Sequence, residues 1–117
     1  MKKDVNIFLS HILESIENIE SFSKNISRNE FMKERFNQNA IVRELEIIGE
    51  ASKNIPDDFK KEHSNINWKE IVGTRDKLIH HYFGVDFGIV WEVVKEYLPK
   101  LKKEIQKILV VEEQGRG

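Results

Sequence analysis

Apolar residues recur at helical spacing along almost the whole chain. Val5, Phe8, Leu9, Ile12, Ile16 and Ile19 fall three or four residues apart, which predicts a first helix over about residues 4–26 with one buried stripe. Ser27 and Glu30 stand in the spacing of a capping box, in which the hydroxyl accepts a backbone N–H and the carboxylate reaches back. A second helix is therefore expected from Ser27 to about Asn54, with Ile41, Leu45, Ile48 and Ala51 as its apolar face and Phe31 and Phe36 upstream. The run Asn37–Asn39 is the expected place for a bend, and Gly49 within the helix points to close packing.

Pro56 ends that helix and opens a short helical turn, PDDFKKEH. Asn67 and Glu70 form a second capping box, opening a helix from Trp68 to about Phe83, with Gly84 as its stop. Asp86 caps a last long helix carrying Val90, Val93, Val94, Tyr97, Leu98, Leu101, Ile105 and Ile108, which Pro99 should kink or split. No strand alternation, internal repeat or low-complexity block interrupts this pattern. The expected fold is all-α, an up-and-down bundle of four or five helices over residues 1–110, followed by a loose tail at 111–117.

Composition narrows the function classes. The 117 residues make one domain, with a net charge of −1 although 33% of residues are charged. Near-neutrality argues against indiscriminate nucleic-acid binding but leaves room for a local basic cleft. Without cysteine, disulfides, thiol catalysis and cysteine-based zinc sites are excluded. No apolar run approaches the roughly 20 residues of a membrane helix, and polar residues interrupt the N-terminal stripe where a signal peptide would be continuous. A cytoplasmic protein without a membrane partner is expected.

One stretch does not fit an ordinary buried helix. GTRDKLIHHYFGVD, residues 73–86, places Arg75, Asp76, His80, His81 and Tyr82 at a helix end. On a helical wheel at about 100° per residue, Trp68, Ile71, Val72, Leu78, Ile79 and Tyr82 fall within roughly 60° of Arg75. Arg75 is thus centred in the apolar stripe, where an unpaired buried charge costs several kcal/mol. It needs either a carboxylate partner from another helix or a cleft. His80 lies about 140° from Arg75 but only about 40° from Asp76, so the Asp76 carboxylate can orient or charge the imidazole.

Blander roles stay open for each residue. Arg75 can snorkel from an ion pair, the histidines can be surface or packing residues, and Tyr82 can be a core tyrosine with its hydroxyl at the rim. Asp76 and His80 lack a third ligand at metal-site spacing, so no metal and no cofactor is expected. Glu46 and Glu50, one turn apart beside Arg43 and Lys53, read as a solvated charged face rather than a carboxylate site. PKLKKEIQK is a basic patch on the last helix, and His11 and His63 have no evident partners.

The segment RDKLIHHYFGVDFGIVW resembles the R-x4-H-x-Y signature of the HepT toxins of the HEPN superfamily. AIVRELEIIGEASKNIP, residues 40–56, is similar to the same family's second-helix block, and INWKEIVGTRD to its lead-in to the motif. The resemblance implies a HEPN-like helical bundle forming a two-fold homodimer, with the Arg and His of both protomers lining a cleft. It implies the toxin of a type VII-like toxin–antitoxin system, a metal-independent endoribonuclease acting on RNA, with tRNA as substrate class. It also implies a partner, an MntA-like nucleotidyltransferase antitoxin that neutralises the toxin by transferring AMP to the motif tyrosine. Carried over, Arg75 and His80 are catalytic, Asp76 supports them, and Tyr82 is the AMP acceptor. Asp76 departs from the family, which commonly carries Asn there; an acid would raise the His80 pKa and repel phosphate. The competing reading is a non-catalytic ligand- or nucleotide-binding subunit of a nucleotidyltransferase.

Overall fold

The computed structural model describes the backbone of residues 2–73 and 86–116 and the side chains of residues 5–73 and 86–110. Every regular element among the described residues is helical: α1 (Lys2–Ser23), α2 (Arg28–Lys33), α3 (Arg35–Lys53), α4 (Asp57–Glu62), α5 (described over 68–73), α6 (Phe87–Glu92), a π-helical turn (Val93–Tyr97) and α7 (Leu98–Arg116). This is the all-α bundle that the periodicity predicts.

The α1 stripe is the centre of the bundle. Leu9, Ile12 and Ile16 have no exposed surface, and Val5 and Ile19 are buried beside them. α3 supplies Ile41, Leu45, Ile48 and Ala51, and the last helical rod supplies Val90, Val94, Leu98, Leu101, Ile105 and Ile108. Asn18 donates to Glu44 (3.2 Å), while Phe8 shares a groove with Ala51 and Asn54, so α1 and α3 run antiparallel. α7 is antiparallel to α1 as well. Lys102 holds Glu20 at 2.8 Å, and Lys95, earlier in the rod, donates to the Ser23 carbonyl at 3.3 Å. The Glu20 hydrogen bond holds the Lys102 ammonium above its ordinary pKa.

Two boundaries differ from expectation. α1 stops at Ser23 rather than near Ile26, because the buried Ser23 hydroxyl turns back to the Ile19 carbonyl (2.8 Å) and Ser27 must be extended to cap α2. The Ser27–Glu30 capping box forms as expected, with both arms at 3.1 Å. The break in the second helix falls at Glu34, which is extended at φ −99° and ψ 92°, and not at residues 37–39. Gln38 explains why the break is tolerated: its buried side-chain amide donates to the Phe31 carbonyl at 2.9 Å, across the break. The break re-aims Phe31, which is fully buried with its ring 5.1 Å from Trp91 and 6.2 Å from Phe87. Phe36, expected near the apolar face, is 77% exposed. At about 100° per residue it lies roughly 140° round from Ile41.

Pro99 has its effect one turn early. It has no N–H to give, and its ring crowds the carbonyl four residues back, at Lys95. The helix widens over Val93–Tyr97, where the Leu98 N–H bonds back to the Val93 carbonyl. The wide turn also serves packing. Val90, Val94 and Leu98 are spaced by four, and at about 100° per residue that drifts roughly 80° off one face. Tyr97 on this turn is half-buried, and burial first, then the Glu70 charge on α5, raise its phenol to about 12. The rod therefore backs onto the helix that leads into the motif.

Truncating Phe31→Ala should destabilise the fold by about 3–5 kcal/mol in urea denaturation, whereas Phe36→Ala should stay within about 0.5 kcal/mol of the wild type. A phenol that ionises less readily when folded holds its proton while the unfolded chain loses it. Stability should hold below pH 10 and fall as pH rises through about 10 to 12. Tyr97→Phe should flatten that decline in thermal melts taken across the window.

Candidate active site

The motif residues Arg75, Asp76, His80, His81 and Tyr82, with the expected stop at Gly84, lie outside the described residues. The structure describes the two ends from which residues 74–85 are carried. At the entrance, the Asn67 Oδ1 accepts the Glu70 backbone N–H at 3.0 Å and so starts α5. The Asn67 side-chain amide donates to the Glu70 carboxylate at 3.1 Å, so the cap and the third helical residue are joined through their side chains. Trp68 and Ile71 are buried in the core. The Trp68 indole N–H donates to the His63 carbonyl at 3.0 Å, and Phe59 packs between the His63 ring (4.4 Å) and the Trp68 ring (6.5 Å). His63, partnerless in sequence, is thus a packing residue at the α4 end.

At Gly73, the last described residue of α5, a side chain would meet no described atom within 4 Å.

At the exit, the Asp86 carboxylate accepts from the Gly88 and Ile89 backbone N–H groups at 3.0 and 3.2 Å, the cap that the sequence predicts. Glycine is favoured at 88 by crowding: a Cβ there would sit 3.2 Å from both the Arg28 guanidinium and the Asp86 carboxylate. Phe87 and Trp91 then lock α6 onto Phe31 of α2. Entrance and exit are held by different parts of the molecule, α4 and its turn on one side and α2 on the other.

Two surface grooves are formed by the described residues. A groove of about 450 Å³ between α1 and α3 gathers Phe8, His11, Arg43, Glu46, Glu50 and Asn54. Arg43 reaches Glu46 only at 3.9 Å and is largely exposed, which suits the solvated charged face expected there. His11 has company that the sequence did not reveal, because its neighbours come from a helix more than thirty residues away. The second feature is an open groove of about 640 Å³ where the turn between α4 and α5 brings Lys60, Lys61 and Lys69 together. The only sequence signal for it was lysines on both sides of a Ser-Asn-Ile-Asn turn. Among the described residues no three His, Asp or Glu side chains converge as a metal site. No described helix is long and apolar enough to cross a membrane.

Comparison with known proteins gives this architecture its family. The profile of the ribonuclease HepT-like family matches residues 12–108, a span that contains α5, the whole motif and Asp86. A Methanocaldococcus jannaschii protein named "gamma-glutamylcyclotransferase and putative RNase" is 53% identical over 109 residues, 93% of this chain and 49% of the relative. This chain thus spans about half the length of that protein. A second M. jannaschii protein, named "putative RNase", is 49% identical over 105 residues, covering 90% of this chain and 96% of the relative. A Thermococcus cleftensis protein named "probable ribonuclease HepT" is 49% identical over 108 residues, covering 92% and 98%. No solved structure matches the chain. A family profile that spans the bundle and the motif, together with relatives near half identity along their full length, shows that the chain belongs to the ribonuclease HepT-like family.

Proposed function

We propose that this chain is an RNA endonuclease, the toxin of a toxin–antitoxin pair, which cleaves tRNA without a metal ion. The observation that carries the reading is the R-x4-H-x-Y motif, Arg75, His80 and Tyr82, lying inside the span that matches the family profile. The names of the three relatives, each of which includes a ribonuclease, support the reaction class.

The residue types suffice for the chemistry. RNA carries its own nucleophile in the 2′-hydroxyl. A histidine titrates near neutral pH and can take that proton as the 2′-oxygen attacks phosphorus. The P–O5′ bond breaks as the new P–O2′ bond forms, leaving a 2′,3′-cyclic phosphate, and the departing 5′-oxygen takes a proton from a general acid. Arg75 offers a planar fork of donors to the phosphate oxygens as charge builds on them. One protomer brings one motif His80, so a two-fold homodimer supplies both base and acid. An acid one helical turn before His80 in the sequence would favour the protonated imidazole, which suits the acid role more than the base role.

The proposed partner is an MntA-like nucleotidyltransferase antitoxin acting in the cytoplasm. It transfers AMP from ATP to the Tyr82 phenol, releasing pyrophosphate, and the new phosphodiester anion occupies the place of the substrate phosphate. The site thus becomes self-blocked without any change of fold.

Purified protein incubated with total tRNA in EDTA should cut it, and both His80→Ala and Arg75→Ala should lower the rate at least about a hundredfold, the usual scale for a lost acid–base group. Folded, unmodified protein that leaves tRNA intact overturns the ribonuclease reading in favour of a non-catalytic nucleotide-binding subunit. After co-expression with the cognate nucleotidyltransferase, intact-mass and peptide mass spectrometry should find AMP on Tyr82, and Tyr82→Phe should stay toxic in its presence. Neutralisation without an adduct on Tyr82 removes the AMP-transfer part.

A further inference from the structure

We propose that Lys60, Lys61 and Lys69, joined to Lys100, Lys103 and Lys107 of α7, form one continuous cationic track for the sugar–phosphate backbone of a single RNA strand, leading it to the motif segment. The proposal rests on the ribonuclease reading for the identity of the strand.

The open groove at the α4–α5 turn is lined by those first three lysines and by the polar side chains of Ser64, Asn65 and Asn67, with Asp57 as its one carboxylate among the described residues. None of the six track lysines but Lys107 has an ion pair among the described residues. The floor is rigid, since Ile66 and Trp68 are buried and the Trp68 indole is bonded to the His63 carbonyl.

Glu104 joins the groove to α7. One of its oxygens accepts from the Asn65 side-chain amide, and the other lies 3.6 Å from the Lys107 ammonium. Lys100, Lys103 and Lys107 fall at i, i+3 and i+7, within about 60° of one another on the helix. All three are exposed, on the side away from the buried Leu101, Ile105 and Ile108. Lys102, on the same helix, is turned away and occupied by Glu20. Glu104 lies beside Lys100, Lys103 and Lys107 on α7, so its bond to Asn65 sets the basic patch of the last helix beside the groove.

Six lysines stand against Asp57 in the groove and Glu104 at its junction with α7, in a chain of net charge −1. At a Debye length of about 8 Å, a polyanion lying there feels this local excess more than charges on the far side of the molecule. The occupant is a backbone rather than bases, because the one aromatic ring lining the groove, Trp68, is only 6% exposed and offers no stacking face. Lysines read charge and position a strand without reading its sequence. Arg75 is six positions after Lys69, a reach of no more than about 20 Å of chain. The track therefore ends within that reach of the motif.

The test uses the full chain and a short single-stranded 2′-O-methyl oligoribonucleotide, which has no free 2′-hydroxyl to attack. Fluorescence anisotropy across a salt series reads both the affinity and how many phosphates the protein neutralises. Lys60→Gln/Lys61→Gln/Lys69→Gln and Lys103→Gln/Lys107→Gln should each weaken binding about tenfold. Each should also flatten the log K against log salt slope by about 0.7 for every phosphate that is no longer neutralised. The corresponding Lys→Arg sets should bind like the wild type, and Lys24→Gln/Lys33→Gln, off the track, should change nothing. Binding unchanged in both track sets, or absent in the wild type, overturns the track. The two readings fail separately. Track-dependent binding without tRNA cleavage sinks the ribonuclease and leaves the track. Cleavage that needs Arg75 and His80 but binding indifferent to the track lysines does the reverse.

Discussion

Burial of the α1 stripe is the interaction on which the other elements depend. Leu9, Ile12 and Ile16 are wholly enclosed, and each such side chain contributes roughly 1.5–3 kcal/mol when removed from water. A helix cap contributes about 1 kcal/mol. The stripe therefore decides which helices associate, and the caps decide only where they begin. α3 and α7 both lie antiparallel on α1, so the bundle's axis is set before α4, α5 and α6 find their places. α4 and α6, six residues each, bury too little to choose a position alone. They are seated by aromatic anchors, Trp68 over Phe59 and His63 at one end, Phe87 and Trp91 over Phe31 at the other.

What the sequence made legible follows from this hierarchy. The stripes of α1, α3 and the last rod were readable because a 3.6-residue period is a property of one helix alone. Ser27 and Asp86 were readable because a cap acts within three residues. The break at Glu34 was not, since nothing near Glu34 requires it. Its cause is the burial of Phe31 against α6, more than fifty residues on, with Gln38 closing the gap in hydrogen bonding. The π turn was half legible. Pro99 announced a disturbance, but its place one turn upstream depends on the register of Val90, Val94 and Leu98 against the core. For the site, residue types at 75, 80 and 82 spoke for chemistry because an arginine centred in an apolar stripe is expensive without a purpose. The lysine groove was silent, because only the fold of the α4–α5 turn brings Lys60, Lys61 and Lys69 to one place.

The two caps that bracket the motif belong to one physical scheme. Asn67 and Asp86 fix where a helix begins through their own side chains, and each helix is then pinned by an indole, Trp68 after the first and Trp91 after the second. Trp68 ties its helix to α4, and Trp91 ties its helix to α2. In the proposed function a phosphate lies between an arginine and a histidine, and misplacement of either by about 1 Å can cost a hundredfold in rate. Rigid ends on separate supports meet that demand.

Charge follows the same division of labour. The core helices keep their polar faces nearly balanced, through pairs such as Lys102 with Glu20 and Arg43 with Glu46. Lysines without an ion pair among the described residues collect beside the α5 entrance. A chain that was basic throughout would hold polyanions at any surface, and most encounters would be unproductive. With a net charge of −1, the local pull on a polyanion is greatest where cations gather, and Lys69 in that groove lies six positions before Arg75. Near-neutrality, which at first argues against an RNA enzyme, becomes the condition under which a small local field can direct a strand to one site.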